Sequence, residues 1–195
     1  MTTERPVVIL GLETSCDETA ASVVQDGWQV RSSIVASQLD LHREYAGVVP
    51  EIASRADLER ILPVVRRAMA GAEVRWNDLD AIAVGHRPGL IGSLLVGVSA
   101  AKALAWSLGR PIIGVDHVLA HLWAARLDAE PLRFPALGLV VSGGHTALMR
   151  LASPLDATII GRTIDDAVGE AYDKAATILG LPYPGGPKVD QLAAT

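Results

Sequence analysis

Three observations on this sequence predict an α/β fold. Short apolar runs of strand length alternate with longer segments in which apolar residues recur at helical spacing. The first runs are separated only by short polar turns, as in an antiparallel meander, whereas the later runs are separated by helices, as in parallel α/β units. Half of the 195 residues are hydrophobic and 20% are charged, which excludes a mainly disordered chain.

The N-terminal part of the chain predicts a three-stranded antiparallel meander. A continuous apolar run at residues 7–12 predicts a buried strand, and residues 20–24 predict a second strand. The dipeptide Asp26-Gly27 is a hairpin signal, and the third strand is predicted near residues 28–36. The polar segment 13–19, called the acidic turn below, therefore joins the first two strands.

A helix is predicted over residues 51–69 because apolar side chains fall on one of its faces. They are Ile52, Leu58, Ile61, Leu62 and Val65. Pro63 is expected to kink this helix or to end its first half, since proline lacks the N–H that a helix interior needs. Strands and helices then alternate: strands at 78–84 and 111–115, helices at 89–108 and 117–127. A meander followed by this alternation resembles a ribonuclease H-like α/β unit.

Residues 90–108 are also long enough and apolar enough to cross a bilayer. They carry one charge, Lys102, well inside the segment, together with Gly92, Gly97 and several serines. We therefore favour a buried helix that packs closely through its small residues, and no membrane is expected. The N-terminal residues lack the pattern of a signal peptide.

A second strand–turn–strand unit begins at residue 137. Residues 137–141 and 147–151 are apolar and flank the turn Ser142-Gly143-Gly144-His145-Thr146. This pattern echoes the first unit, so we expect two lobes built alike, each offering a polar turn to a shared cleft. We place the N-terminal ribonuclease H-like lobe at residues 1–130 and the beginning of the second lobe at residues 131–195.

Composition limits the classes of function. The chain has 17 Lys and Arg against 22 Asp and Glu, and this net charge of −5 argues against a general nucleic-acid coat. Cys16 is the only cysteine in the sequence, which excludes a disulfide framework and a Cys-rich zinc module and fits a reducing, cytosolic setting. No histidine lies near Cys16 in sequence, so a cysteine nucleophile is not predicted.

His117 and His121 are four residues apart on a predicted helix, so both imidazoles lie on one face. Two nitrogens at this spacing suit a Zn or Fe ion, and two surface histidines are the alternative. A metal site would need a third ligand, a carboxylate, from elsewhere. No glutamate lies between the histidines, so a zinc protease would have no general base there.

Three polar segments are candidates for ligand binding. The glycines of the turn 142–146 let backbone N–H groups approach a nucleotide phosphate, although a plain tight hairpin has the same pattern. The acidic turn holds three carboxylates and three hydroxyls, which could hold a cation or position a nucleophile. The alternative is a solvated turn without a ligand. A helix is predicted at 170–179, followed by a Gly/Pro loop at 183–190. This loop could form hydrogen bonds with a ribose, and a simple Pro-Gly turn is the alternative.

Five segments, in order, resemble the tRNA N6-adenosine threonylcarbamoyltransferase family. They are ILGLETSCDETAASVV, GVVPEIASRADLERILPVVRRA, PGLIGSLLVGVSAAKALAWSLGRPIIGVDHVLAHL, FPALGLVVSGGHTALMRL and VGEAYDKAATILGLPYPGGPKVDQLA. The resemblance implies an actin/Hsp70-like two-lobe fold that binds ATP or threonylcarbamoyl-AMP. It also implies transfer of the threonylcarbamoyl group from threonylcarbamoyl-AMP to N6 of the adenosine 3′ of the anticodon, in tRNAs that read codons beginning with A.

The resemblance implies roles for individual residues. His117 and His121 match the ligands of one divalent metal ion, with Fe(II) favoured over Zn. Glu13 and Asp17 match the acidic turn that faces the cleft and are the candidates for catalytic residues. The positions that match substrate-binding residues are Val140, Val141, Ser142, Gly143, Gly144, Asp173, Gly186 and Asp190.

Four positions depart from the family pattern: Asp57 stands in place of a histidine, Gly85 of a threonine, Arg87 of a glycine, and Asp116 of an asparagine. Arg87 is expected to add a charge near the mouth of the cleft, and Asp116 is a candidate to hydrogen-bond a metal-binding imidazole. Family members continue well past residue 195, where a late aspartate would supply the third metal ligand. An N-terminal fragment with exposed apolar surface is therefore expected.

The partners that the resemblance implies are tRNA, a paralogous dimer partner similar to TsaB and a small ATPase similar to TsaE, all in the cytoplasm. Two other functions stay open. One is a truncated, non-catalytic relative that acts as a dimerisation or scaffold partner in the same modification complex. The other is an actin-fold sugar kinase or ATPase, which would not need His117 and His121.

Overall fold

The computed structural model describes residues 5–45, 47–127 and 132–194. The described residues fall into two compact units, one within residues 1–42 and 48–117 and the other within residues 43–47 and 118–195. The predicted lobe boundary, between residues 130 and 131, lies outside the described residues.

The first unit contains a five-stranded mixed sheet. Its strands are β1 (Val8–Glu13), β2 (Glu18–Gln25), β3 (Gln29–Ser37), β4 (Ala81–Arg87) and β5 (Ile112–Asp116), in the order β3-β2-β1-β4-β5. β1, β2 and β3 pair antiparallel, which confirms the predicted meander, and β4 and β5 continue the sheet parallel to β1. Asp26 and Gly27 have φ values of 53° and 76°, the two positive angles of a type I′ hairpin turn.

The helices of the first unit are α1 (Leu39–His42), α2 (Pro50–Ala72) and α3 (Ile91–Leu108). α2 runs through Pro63, so of the two predicted effects of this proline, a kink or an end of the first half of the helix, the second is wrong. The predicted apolar face is also partly wrong, because Ile61 and Val65 are buried whereas Leu58 and Leu62 are exposed. The buried face instead includes small residues that let the helix lie close to its neighbours: Ala53, Ala56, Ala68 and Ala72.

The core of the first unit lies between the sheet and α2 and α3. Its fully buried side chains include Leu10, Val23, Leu79 and Ile82. Within the described ranges, α3 is the one helix that passes the length and composition test for a membrane span, with a mean hydropathy of 1.5. Its small residues face inward, however, and its packing against α2 and β4 agrees with the predicted core helix: Ser93, Gly97, Ala101 and Ala105 are buried.

The second unit contains an antiparallel sheet of β6 (Ala136–Val141), β7 (Thr146–Ser153) and β8 (Asp156–Arg162). The predicted strand–turn–strand is β6 and β7, whereas β8 was not predicted. The helices that follow the sheet are α5 (Val168–Ile178) and α6 (Gly185–Ala193). The predicted Gly/Pro loop at 183–190 is therefore wrong over most of its length, because proline is tolerated in the first turn of a helix and α6 includes Pro187.

A further helix, α4 (His117–Ala124), directly follows β5 and is shorter than predicted. Val118 and Leu122, one turn apart on this helix, pack with Val140, Met149 and Leu151 in the core of the second unit. One face of the β6–β8 sheet is thus buried. Leu137 and Leu139, which alternate with the buried residues of β6, are 70% and 65% exposed.

Candidate functional site

The carboxyl ends of three neighbouring parallel strands meet at one edge of the first sheet. Glu13 ends β1, Arg87 ends β4 and Asp116 ends β5, and His117 follows as the first residue of α4. Ligands of open α/β sheets bind outside the carboxyl ends of their strands. The fold therefore brings Glu13 and His117, from distant parts of the sequence, to one place.

Glu13 and His117 are in direct contact. His117 Nδ1 lies 3.4 Å from Glu13 Oε2 and 3.1 Å from Ser15 Oγ, and the Ser15 backbone N–H donates to Glu13 Oε1 at 2.5 Å. Gly85 of β4 lies against the carboxylate, and a Cβ at this position would collide with Glu13 Oε2. The carboxylate thus occupies a space that a glycine leaves open.

The ion pair shifts the proton affinities of both groups. Burial acts to raise the pKa of Glu13, but the hydrogen bonds with His117 and Ser15 and the charge of His117 outweigh it, so the pKa lies below its ordinary value. The hydrogen bond with Glu13 raises the pKa of His117 against the opposing effect of burial. Each partner therefore favours the charged form of the other.

The start of the acidic turn is attached to α3. Thr14, which is fully buried, donates its hydroxyl hydrogen to the Ser93 carbonyl oxygen at 2.7 Å. Gly97, one turn further along α3, leaves no room for a side chain, because a Cβ there would lie 2.4 Å from Thr14 Oγ1. Close approach of α3 therefore depends on this glycine.

The end of the acidic turn is attached to a buried carboxyl group on α2. The Thr19 hydroxyl donates to Asp57 Oδ1 at 2.7 Å, and the Gln38 side-chain amide donates to the same oxygen at 2.8 Å. The Gln38 backbone N–H donates to the Asp17 carbonyl oxygen at 3.0 Å. Asp57 is fully buried, and burial raises its pKa although the hydrogen bonds from Thr19, Ser93 and Gln38 act against the shift.

The middle of the acidic turn carries Asp17, the second candidate for a catalytic residue, between Cys16 and Glu18. The pKa of the Cys16 thiol is raised to about 12, first by loss of hydration and then by the negative charge of Asp17. A thiol in this environment stays protonated, which agrees with the absence of a predicted cysteine nucleophile. Burial and the charges of Asp17 and Glu13 also raise the pKa of Glu18.

The departures Arg87 and Asp116 face each other. Arg87 Nε lies 3.6 Å from Asp116 Oδ2, and the Arg87 side chain is 71% exposed. The charge of Asp116 also contributes to the raised pKa of His117. Arg87 thus adds a positive charge at the carboxyl edge of the sheet, while the hydrogen bond at His117 Nδ1 involves Glu13 and Ser15.

The two predicted metal ligands, His117 and His121, are the first and fifth residues of α4. This spacing fits two imidazole ligands on one helix face. In the part of the chain that the structure describes, no group of three or more His, Cys, Asp or Glu side chains is placed to hold a metal ion. The carboxylate expected as a third ligand is therefore not placed beside the two histidines within the described ranges.

A cavity of about 300 Å³ lies in the second unit. It is lined by Val141, Ser142, Gly143, Val168, Gly169, Tyr172, Gly186 and Asp190. Five of these residues were predicted as substrate-binding, from the β6–β7 turn and from α6. Val168, Gly169 and Tyr172 were missed, although they belong to the segment VGEAYDK, in which only Asp173 was singled out.

The turn between β6 and β7 is in contact with the start of α5. The Gly169 backbone N–H donates to the Ser142 carbonyl oxygen at 3.1 Å, and a Cβ on Gly169 would lie 2.7 Å from Gly143 Cα. The turn is closed internally, since Ser142 Oγ accepts the His145 backbone N–H at 3.0 Å. Gly143 and Gly144 are exposed, and apart from their chain neighbours no described residue lies within 4 Å of where their Cβ atoms would be.

The other predicted substrate-binding residues do not line the cavity. Val140 is buried in the core of the second unit, and Gly144 lies in the turn. Asp173 Oδ1 accepts the backbone N–H of Gly185 at 2.7 Å, so this carboxylate holds the start of α6 in place.

Comparison with known proteins identifies closely related sequences. A sequence model described as TsaD, tRNA N6-adenosine threonylcarbamoyltransferase, matches residues 29–195. The protein of that name from Moorella thermoacetica is 56% identical over 185 residues, which cover 95% of this chain and 54% of that protein. The one from Bacillus subtilis is 51% identical over 193 residues, which cover 99% of this chain and 56% of that protein. The chain spans about half the length of these curated relatives.

Solved structures support the fold. The ethanolamine utilization protein EutJ from Carboxydothermus hydrogenoformans matches with a TM-score of 0.54 at 14% identity, covering 96% of this chain and 62% of that one. YeaZ from Pseudomonas aeruginosa matches with a TM-score of 0.51 at 21% identity, covering 80% of this chain and 65% of that one. These similarities concern the fold alone, which is the actin/Hsp70-like α/β fold predicted from the sequence.

Proposed function

Because this chain belongs to the tRNA N6-adenosine threonylcarbamoyltransferase family, we propose that it takes part in threonylcarbamoyl transfer to tRNA. The acceptor is N6 of the adenosine 3′ of the anticodon in tRNAs that read codons beginning with A, and the donor is threonylcarbamoyl-AMP. The observation that carries this proposal is the cavity of the second unit, which joins the glycine turn after β6 to the starts of α5 and α6.

The cavity suits the adenylate part of the donor. Gly143, with its exposed backbone, can bring an N–H group to a phosphate oxygen, and Asp190 can accept hydrogen bonds from ribose hydroxyls. Val141, Val168 and Tyr172 give the cavity an apolar side for a nucleoside base. ATP is the alternative occupant with the same chemistry.

Transfer joins the adenosine N6 to the carbamoyl carbon and breaks the bond from that carbon to the phosphate oxygen of AMP. The proton leaves N6, and AMP departs with the electron pair of the broken bond. Backbone N–H groups of the turn at Gly143 and Gly144 would stabilise the charge that grows on the phosphate. Asp17 is our candidate to assist removal of the proton, and the role of Glu13 is taken up in the next subsection.

His117 and His121 would hold one divalent metal ion, Fe(II) rather than Zn, with imidazole nitrogens from one helix face. When bound, such an ion would act as a Lewis acid toward the carbonyl or the adenylate phosphate. The contact of His117 with Glu13 supports this assignment, since metal-binding histidines commonly have a carboxylate at the second ring nitrogen.

The proposed partners are tRNA, a paralogous dimer partner similar to TsaB and a small ATPase similar to TsaE, in the cytoplasm. A net charge of −5 makes this chain alone a weak ligand for tRNA, because phosphate contacts need clustered Lys and Arg. We therefore expect the partners to supply part of the tRNA-binding surface.

A transfer assay tests the proposal. The chain is mixed with both partners, threonylcarbamoyl-AMP and unmodified tRNA, and the modified adenosine is measured by mass spectrometry after digestion of the tRNA. We expect modification by the wild-type chain and its loss in the His117→Ala/His121→Ala variant, together with loss of bound metal. Unchanged transfer by this variant would contradict the metal role, and a folded wild-type chain without activity would contradict catalysis.

The second candidate function is a non-catalytic subunit that dimerises or acts as a scaffold in the same modification complex. Exposed apolar side chains on the packed helices α2 and α3 favour it, since such residues are typical of interfaces: Leu58, Leu62, Ile91 and Leu95. In the assay above, such a subunit would raise transfer by a complete homologue without supporting transfer itself.

A further inference from the structure

We propose that Glu13 is a positioning residue, which keeps the hydrogen of His117 on Nδ1 and thereby makes Nε2 the nitrogen that binds a divalent metal ion. The inference rests on the proposed function, in which His117 is a metal ligand. It assigns to Glu13 an action through the histidine in place of proton removal from the substrate.

The donor and acceptor chemistry favours one tautomer. A carboxylate can only accept hydrogen bonds, so a hydrogen bond across the 3.4 Å between His117 Nδ1 and Glu13 Oε2 requires the hydrogen on Nδ1. Ser15 Oγ, 3.1 Å from the same nitrogen, is able to accept that hydrogen as well. A neutral imidazole has one N–H, so its lone pair is then on Nε2.

The position of the Glu13 carboxylate is fixed from several sides. Its Oε1 accepts the Ser15 backbone N–H at 2.5 Å, and its Oε2 faces His117. Gly85 leaves the space in which the carboxylate lies. Glu13 is itself the last residue of β1. The strand, a backbone donor and a glycine thus together direct one carboxylate oxygen toward the imidazole ring.

This placement disfavours Glu13 as a general base for the substrate. Each carboxylate oxygen already has a donor from the protein, namely Ser15 N–H on Oε1 and His117 on Oε2. A base must come within hydrogen-bond distance of the proton that it removes. Both oxygens of Glu13 are thus engaged by groups of the protein, which fits a positioning role better than proton removal.

The first test reads the tautomer of His117 directly. Nitrogen-15 NMR of the imidazole, at a pH where the ring is neutral, is expected to show Nδ1–H in the wild-type chain. In Glu13→Gln the amide oxygen can keep the Ser15 N–H, which leaves an NH₂ group against Nδ1 and favours the Nε2–H tautomer. A wild-type ring with hydrogen on Nε2, or an identical tautomer in Glu13→Gln, would overturn the proposal.

Two further variants separate the contact from general effects of charge. Glu18→Gln removes the same charge from an exposed position of the acidic turn and is expected to leave the His117 tautomer unchanged. Gly85→Ala keeps the Glu13 charge but places a methyl group where the carboxylate lies, so the tautomer is expected to shift as in Glu13→Gln. A shift in Glu18→Gln of equal size would refute the specific contact.

The second test measures metal affinity. Competition with a chelating dye for Zn²⁺ is expected to show about 10–100-fold weaker binding in Glu13→Gln, and no change in Glu18→Gln. Equal affinities of wild type and Glu13→Gln, or a wild-type chain that takes up no Zn²⁺, would overturn the link to the metal. Neither test uses transfer activity, so a failed transfer assay combined with these shifts would reject the proposed function and retain the positioning role.

Discussion

Asp57 is a buried carboxyl group whose hydrogen bonds hold the end of the acidic turn. Its Oδ1 accepts hydrogen bonds from Thr19 and Gln38, whereas its Oδ2 is buried and, among the described residues, has no partner that meets geometric hydrogen-bond criteria. Burial favours the protonated carboxyl, and the raised pKa reflects this. The residue therefore supports the turn best when it is neutral.

Removal of this charge tests that interpretation. A carboxyl group whose pKa is raised in the folded state contributes stability that is complete below its unfolded pKa and is lost as the pH rises through the folded pKa. Asp57→Asn is therefore expected to gain in unfolding free energy relative to the wild type as the pH rises above about 4. Urea unfolding at pH 4 and pH 7 measures this difference.

Two comparisons complete the test. Glu59→Gln removes a charge from an exposed position on the same helix and serves as the control. Asp57→Ala is expected to lose about 1–3 kcal/mol, since it leaves Thr19 and Gln38 without their buried acceptor. A relative stability of Asp57→Asn that falls with rising pH would show that the carboxylate is the favoured form.

Among the elements, α3 depends most clearly on a single small residue. Gly97 faces Thr14 so closely that the helix and the acidic turn share one packing surface. The hydrogen bond from Thr14 to the Ser93 carbonyl joins the same two elements. A change at this contact is therefore felt by both the helix and the turn.

Gly97→Ala is expected to destabilise the first unit by about 1–3 kcal/mol. Alanine improves helix propensity by about 1 kcal/mol, but overpacking costs typically about 1–3 kcal/mol and loss of the Thr14 hydrogen bond about another 1 kcal/mol. Ser99→Ala, exposed on the same helix, is the control and should stay within about 0.5 kcal/mol of the wild type. A more stable Gly97→Ala variant would show that α3 can move away without loss.

Periodicity and turn residues were enough to predict the meander, the β6–β7 hairpin and the alternation of strands and helices. They failed for α2, where hydrophobicity alone does not show which apolar side chains are buried. Leu58 and Leu62 are as apolar as Ile61 but are exposed, and alanines occupy much of the buried face instead. They also failed at α6, where glycines and a proline suggested a loop and the structure has a helix. In both cases the observed structure depends on packing against neighbouring elements, which the local sequence does not reveal.

The contacts among the candidate site residues were not predictable from the sequence. Spacing and composition singled out His117 and the acidic turn as candidates, but the pairing of His117 with Glu13 depends on β4 lying between β1 and β5. The strand order was not deducible from either motif alone. The burial of Asp57 gave no sequence signal either, because an Arg-Ala-Asp triplet on a helix is as typical of an exposed face.

For the molecule as a whole, apolar surface remains exposed on the β6–β8 sheet. One face of this sheet packs against Val118 and Leu122, whereas Leu137 and Leu139 on β6 are mostly exposed. Apolar patches of this kind promote association with other surfaces. Leu137 and Leu139 are therefore candidates to cause association of the chain with other apolar surfaces.

The double variant Leu137→Thr/Leu139→Thr is expected to reduce self-association and binding of the dye ANS. Its unfolding free energy should change by less than about 0.5 kcal/mol, because threonine suits a strand and little apolar area is lost from the core. Light scattering, ANS fluorescence and urea unfolding measure the three quantities. Leu151→Thr, which alters the buried face of the same sheet, is the contrast and should lose about 2–4 kcal/mol. Equal dye binding before and after the double substitution would contradict this role for the exposed leucines.

The double attachment of the acidic turn has a consequence for the thermodynamics of ligand binding. Its first residues are tied to α3 through Thr14, and its last are tied to α2 through Thr19. Ordering a flexible backbone costs about 1–2 kcal/mol of conformational entropy per residue. In this turn that entropy is already lost when the first unit folds, so a ligand that reaches Asp17 meets a preorganised surface and keeps more of its interaction energy as affinity.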